Sequence, residues 1–337
     1  MNRNEFAKLL NDTIIPECLE QSEVADRMRP IGVALKSMLP QKLYRYRSCS
    51  TLNLDAFDKD LIYAVTADKF NDPYDTLVYY NKDNIIAQIR KFSSVDFFQI
   101  FKQSLEKVNF EFPQNIIQFF GKENLENLRK KVISCRDINP LDLYAFGSLV
   151  EHEVIKKLSE IRNELKMVST MACLSENVNS VTMWSHYAQN HEGFALEYDL
   201  KILLGDKHMN CCAFPVIYDN DRMNVGNFIF WCVAKKLGFD VKSPDLLSNI
   251  KLAIHKSKLW EYEKEWRIIH TEKQPIGHSR VTSIKIIPKA IYYGERISDI
   301  NRKILHYIAQ EKGISEYDMY IDYRSLKYEM LYKPSVV

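Results

Sequence analysis

The sequence predicts an α+β protein in which a mixed or antiparallel sheet carries N-terminal helices and a long helical insertion. Three observations lead there. Short segments with the two-residue alternation of strands recur on both sides of the chain's middle; a block from about 83 to 167 shows only the spacing of helices; and the two patterns never alternate in regular βαβ units. In chain order, Phe6, Leu9, Leu10 and Ile14 lie at helical spacing, with Pro16 and Pro30 as breaks, so residues 1–39 read as a segment of two or three short helices. KLYRYRS then takes up strand alternation, LNLDAFDKD reads as a short helix, and DLIYAVTADKF as a second strand closed by the turn-forming NDP of FNDPYD. IIAQIRKF, VDFFQIFKQSLEKV, IIQFF, ENLENLRKKVI and HEVIKKLSEIRNEL fill the helical insertion. Strand character returns in MVSTMACLS, passes the polar turn ENVNS and TMWSHYAQNH, and resumes in GFALEYDL and AFPVIYD. Residues 244–258 read as a helix with Ser243 as N-cap and Pro244 at its first position. YEKEWRIIHT, TSIKIIPKAIYYG and DMYIDYRS complete the strands, and NRKILHYIAQEKG is a helix ended by Gly313. Residues 40–337 thus read as one α+β domain that carries the helical insertion at about 83–167.

Composition narrows the function classes. The chain is 46% hydrophobic and 27% charged, and its formal net charge of +2 sets up no global field toward nucleic acid or a membrane. Seven cysteines form no CxxC or CxxH pair, and adjacent Cys211 and Cys212 are poorly placed to share a zinc ion, so they read as reduced core thiols. The N-terminal stretch lacks an apolar signal core, and no run approaches the roughly eighteen apolar residues of a membrane helix. The expectation is a cytoplasmic protein with no membrane partner.

Three motifs carry candidate chemistry. FNDPYD holds Asn71, Asp72 and Asp75 around Pro73; Asn and Asp commonly bond such a turn's own backbone, and Phe70 and Tyr74 suggest that aromatics anchor it in the core. MWSHYAQNHEG gathers Trp184, His186, Tyr187 and His191. The two histidines are five apart with no cysteine or carboxylate at a matching offset, so no metal site is assigned. Trp184 and Tyr187, about one helical turn apart, fit an aromatic pocket or the core. KLWEYEKEWR is the third motif. Read as a strand, YEKEWR puts Glu263, Glu265 and Arg267 on one face and Tyr262, Lys264 and Trp266 on the other. An exposed edge strand carries such charge against aggregation, whereas the flanking Trp260 and Trp266 imply burial, and buried paired carboxylates are more often sites.

With LYRYR, these motifs resemble a bacterial family of unknown function marked by L-Y-x-Y, F-N-D-P-[FY]-[DE], M-W-x-H-Y-A with a following H-x-G, and Y-E-x-E-[WY]-R, here spread over roughly residues 40 to 300. Its members look like relatives of the AbiGi abortive-infection proteins of phage defence. In order of motifs the chain is also similar to the ADP-ribosyltransferase fold, including the DarT-like toxins. Arg47 lies on the first strand, Leu52 to Phe57 form an "NL" helix, Trp184 to Tyr187 are the middle motif, and Glu263-Lys264-Glu265 the E-x-E; a Ser-Thr-Ser strand motif is not evident.

That resemblance implies an ADP-ribosyltransferase-like sheet and NAD as substrate. Glu265 would hold the ribose 2′-hydroxyl beside the oxocarbenium-like centre, Glu263 would orient or deprotonate the acceptor, and Arg267 completes the catalytic set. Arg47 or Arg45, flanking Tyr46, would pair with the diphosphate, and Tyr187 or Trp184, with His186 beside them, would stack on nicotinamide. Asn71, Asp72 and Asp75 would shape the pocket wall, and a nucleic acid or protein would be the acceptor. Two other classes fit the same residues: a metal-dependent nuclease using Asp72, Asp75, Glu263 and Glu265, although Lys264 then faces away from the glutamates, and a non-enzymatic ligand sensor or antitoxin.

Overall fold

The computed structural model describes residues 1–91, 99, 102–107, 109–134, 140–201, 212–236, 242–271 and 279–336. Part of VDFFQIFKQSLEKV lies outside them, as do Cys135 and Cys211. The strands are β1 (Leu43–Arg47), β2 (Leu61–Thr66), β3 (Ser169–Ser175), β4 (Phe194–Tyr198), β5 (Cys212–Pro215), β6 (Ile217–Asp219), β7 (His255–Ser257), β8 (Glu265–Thr271), β9 (Val281–Lys285), β10 (Ala290–Tyr293), β11 (Ser315–Ile321) and β12 (Met330–Pro334). The main sheet runs β12-β11-β10-β4-β1-β3-β2-β9, with β8 also on β3 and β5 outside β8. Its pairs are antiparallel except β10 with β11, where the helix Asp299–Lys312 makes the crossover that a parallel pair requires. Gly313, at φ 62°, closes that helix as expected. The α+β class with a mostly antiparallel mixed sheet is what the alternation predicted.

The register of β3 makes the opening in which the site sits. Along one edge β3 pairs with β8 over its whole length, from Ser169 opposite Thr271 to Ser175 opposite Glu265. Along the other edge Ser175 alone meets β1, at Tyr44, while Thr170 and Met171 meet β2. Between these contacts β1 and β2 diverge, and the helix Thr51–Asp58 joins them. Arg45 spans the gap, donating from Nη2 to the Tyr63 carbonyl at 2.5 Å.

Three apolar clusters hold this frame. The largest joins the sheet to the N-terminal helices through Phe6, Leu10, Ile31 and Leu35. A second packs Val154, Leu158 and Ile161 of the helix Pro140–Leu165 on Phe228, Ile229 and Val233, so the insertion shares its core with the helix Gly226–Lys236. The third holds Tyr44, Tyr46, Trp184, Tyr292 and Met330 on the sheet's other face. Among the described residues no helix is long and apolar enough to cross a membrane.

Several boundaries differ from expectation. Pro30 lies inside the helix Gln21–Met38 rather than breaking it, because it sits on the exposed side, where water can take the carbonyl bond a proline forfeits. The helix expected over 244–258 is only Ser248–Ile254; Ser243 caps nothing there, its N–H donating to Glu17 at 2.7 Å, and His255–Ser257 is strand β7 beside β6. TMWSHY is the helix Val181–Tyr187, capped by Ser180, rather than a passage between strands. TSIKIIPKAIYYG splits into β9 and β10 around Pro288, and β12 was not anticipated. Cys18 is exposed, against the expectation of core thiols, and Cys49, Cys173 and Cys232 are partly buried.

Gly193 fixes the helix Val181–Tyr187 to β1. A Cβ there would stand 2.1 Å from the Arg47 carbonyl oxygen and 2.9 Å from that of Ala188, and both are backbone that cannot give way cheaply. Gly193→Ala is therefore expected to destabilise the fold by roughly 3 kcal/mol, the upper part of the overpacking range, measured by urea denaturation. A loss below about 1 kcal/mol would show that this close approach relaxes easily.

Candidate functional site

The alternation of β3 and β8 aims one row of side chains from each into the gap between β1 and β2. Arg267 stands opposite Cys173 and Glu265 opposite Ser175, so both charges share a face with Met171 and Cys173. The expected strand does not reach Glu263. Residues Lys258–Glu263 form a 3-10 turn, Lys264 takes a left-handed φ of 44°, and this kink, not strand alternation, brings Glu263 beside Glu265. Tyr262 is consequently not on Trp266's face; it packs near His186, its hydroxyl 3.0 Å from His186 Nδ1. Strand β8 lies between β3 and β5, so the charged row is buried and is no edge-strand decoration.

These side chains border a cavity of about 510 Å3, within the ordinary range of small-molecule pockets. All four sequence motifs meet there. Arg45, Tyr46 and Arg47 come from β1, Asn71 and Asp75 from FNDPYD, His186 and Tyr187 from the helix Val181–Tyr187, and Glu263, Glu265 and Arg267 from WEYEKEWR. Asn53, Ala56 and Phe57 of the helix Thr51–Asp58 complete the wall.

A buried ion network forms one side of the cavity. Arg267, fully buried, grips Asp75 with both terminal nitrogens at 2.8 and 2.6 Å and donates from Nε to Glu265 at 2.8 Å. Lys256 donates to Glu263 at 2.5 Å and to Glu265 at 3.2 Å, and lies 3.7 Å from Asp75. Three carboxylates face two cations, so with all five groups ionised the network carries one surplus negative charge. Its two glutamates differ accordingly. Burial alone would raise the Glu265 carboxyl, but Arg267 and then Lys256 outweigh it and hold the group well below the usual carboxylate range. Burial, and then the Glu265 charge, push Glu263 upward. Tyr187 donates to Glu263 at 2.5 Å, and burial followed by the Glu263 charge raises its phenol, which stays neutral. Burial, reinforced by Glu265, raises the Cys173 thiol well above its ordinary value, which argues against a thiolate nucleophile at this position.

The opposite side is cationic. Arg45 is buried, has no carboxylate partner among the described residues, and its Nη1 makes no hydrogen bond. Burial lowers its pKa, the mark of a charge taken out of water without compensation. Arg47 is half-buried on the same face of β1.

Residues 183–268 match the family described as Protein of unknown function (DUF2971). No curated protein and no solved structure matches the chain. The DUF2971 match spans less of the chain than the motifs do. It begins at Met183, ends at Ile268 and takes in His186, Tyr187, Glu263, Glu265 and Arg267, while LYRYR and FNDPYD lie before it.

Two predicted residues do not line the cavity. Trp184 is fully buried in the third apolar cluster; its indole N–H donates to the Val178 carbonyl at 2.7 Å and its ring meets Tyr46 edge-on, so it offers no face for stacking. Asp72 borders a second cavity. The nuclease set of Asp72, Asp75, Glu263 and Glu265 is thus not assembled at one place, and the latter three already accept bonds from Arg267 or Lys256. Tyr74 is 62% exposed rather than anchoring the turn, while Phe70 lies under the Arg267 guanidinium at 5.4 Å. His191 serves the turn, its Nε2 3.0 Å from Ser185 Oγ. Lys256, at the heart of the network, was missed. It fell inside the expected helix 244–258, where His255, Ser257, Lys258 and Glu261 surround it with other polar residues, so nothing local marked it out.

Proposed function

We propose that the chain is an NAD-dependent, ADP-ribosyltransferase-like or NAD-hydrolysing effector of bacterial phage-defence or toxin type, acting in the cavity between β1 and β2. The observation that carries this reading is Arg45, a buried guanidinium with a spare donor and no acidic partner, set across one cavity from the Glu263–Tyr187 pair. A guanidinium so placed suits an anion such as a diphosphate. Tyr187 and His186 supply the aromatic surface for nicotinamide, the part Trp184 cannot play.

The roles of the two glutamates exchange relative to the E-x-E expectation. Both glutamates accept hydrogen bonds at both oxygens, but those of Glu265 are held by two cations, Arg267 and Lys256, which makes it a positioning residue, whereas one oxygen of Glu263 accepts only from the neutral Tyr187 hydroxyl. Glu263, with its raised carboxyl, is the catalytic group. In the reaction the bond from the ribose anomeric carbon to nicotinamide breaks and its electron pair leaves with the nicotinamide nitrogen. Water or a nucleophilic group of a nucleic acid or protein adds to that carbon and gives its proton to Glu263.

The test is release of nicotinamide from NAD by the purified protein, with and without added nucleic acid or cell lysate. Wild type releases it. Arg45→Gln keeps the bulk but loses the charge, and raises the KM for NAD roughly ten- to a hundredfold, the worth of one or two charge-assisted hydrogen bonds. NAD binding without release would overturn the enzyme in favour of a sensor; no binding at all would remove NAD from the account.

A further inference from the structure

We infer that the second cavity is a separate binding site for a small organic cation bearing N–H donors, an alkylammonium or guanidinium group. This cavity, of about 400 Å3, lies behind the FNDPYD turn, bordered by Asp72, Tyr74, Thr76, Asp219, Asp221 and Trp260 among others. Two of its wall residues hold polar atoms with no partner. Asp72 is 5% exposed; its Oδ1 accepts from the Tyr74 N–H at 2.8 Å, but its Oδ2 accepts from nothing. Thr76 is 8% exposed, its hydroxyl equally unpartnered, and its backbone is held at a left-handed φ of 54°. Leaving a buried carboxylate oxygen and a buried hydroxyl unsatisfied is costly, and their coincidence at one cavity wall points to a ligand that supplies donors.

The surrounding charge selects a cation. Asp72, Asp219 and Asp221 face Arg222 and Lys256, but the Lys256 ammonium is spent on Glu263, Glu265 and Asp75, leaving the cavity acidic. His255, also in the wall, is held toward its neutral form by burial, so it adds no opposing charge near neutrality. Tyr74 and Trp260 offer aromatic faces for a cation, as they already do for Arg222 at 5.9 Å and Lys256 at 4.8 Å. The site does not depend on NAD chemistry, although it adjoins the first: Lys256 lines both cavities, and one turn sends Asn71 and Asp75 to the first and Asp72 to the second.

Calorimetric titration of the full chain tests this with three probes: agmatine, a blocked Gly-Arg-Gly peptide, and tetramethylammonium, which has charge but no N–H. Saturable binding of agmatine or the peptide, weakened roughly ten- to a hundredfold by Asp72→Asn, is the expected result. The tighter of the two shows whether a free cation or an arginine side chain is the source. Thr76→Val, which keeps the carboxylate, provides the same comparison if Asp72→Asn fails to fold, with a loss of about tenfold. No saturable binding of either donor probe, equal binding of tetramethylammonium, or binding that a folded variant leaves unchanged would overturn the assignment.

Discussion

Arg267→Met is expected to destabilise the fold by roughly 3–5 kcal/mol, the cost of removing one partner from a buried ion pair. Methionine fills much of the same space, so the loss is electrostatic. Asp75 and Glu265 are 1% and 3% exposed, and without the guanidinium they face Lys256 alone, with Glu263 as a third competing carboxylate. The Ala253 carbonyl, which accepts from Arg267 at 2.6 Å, loses that partner as well. Arg267→Lys restores a charge but not the two-pronged grip on Asp75, and should recover only part of the loss. Urea denaturation with an unchanged m-value measures this; a loss under about 1 kcal/mol would mean that the network relaxes or admits water. The same network sets an acid limit. Because the folded-state pKa of Glu265 is depressed, its contribution is present above the unfolded value of about 4.3 and is lost as pH falls through the folded value. In Arg267→Met that acid-side fall in stability should shrink, since the chief cause of the depression is gone.

How far this site could be read from the sequence depended on how local its causes were. Strand alternation placed Glu265 and Arg267 on one face, and this held because β8 begins at Glu265. It failed for Glu263, since the turn at Lys264 is a backbone choice that the alternating pattern of YEKEWR disguises. The helix Asp299–Lys312 was legible from its apolar spacing and terminal glycine, both local signals. Pro30 misled because a proline's effect depends on which side of the helix meets water. Spacing alone favoured the core for Trp184, and there it lies, against Val178 and Tyr46; its expected place on nicotinamide came from the resemblance and not from its own surroundings. Lys256 was invisible because a lysine becomes an interior cation only where tertiary structure gathers carboxylates around it.

Glu263→Gln should abolish most turnover while leaving the fold nearly intact, and this pairing of outcomes separates it from its neighbour. Glutamine keeps an oxygen to accept from Lys256 or Tyr187, and it removes a charge that burial and Glu265 already disfavour. Stability should therefore change by less than about 1 kcal/mol, or rise. On the proposed mechanism, in which Glu263 takes the acceptor's proton, its loss should lower kcat by roughly a hundred- to ten-thousandfold with little change in KM. Glu265→Gln should do the reverse in kind: it strips Arg267 and Lys256 of a charged partner, so the fold weakens by about 2–4 kcal/mol and activity falls with the folded fraction. Parallel nicotinamide-release kinetics and denaturation on the two variants decide the assignment. A folded Glu265→Gln protein with no turnover beside an active Glu263→Gln would return the catalytic role to Glu265. The pH profile adds an independent check, because a catalytic Glu263 must lose its proton. The acid limb of kcat should then lie above the ordinary glutamate value near 4.3, as burial and the adjoining negative charge require.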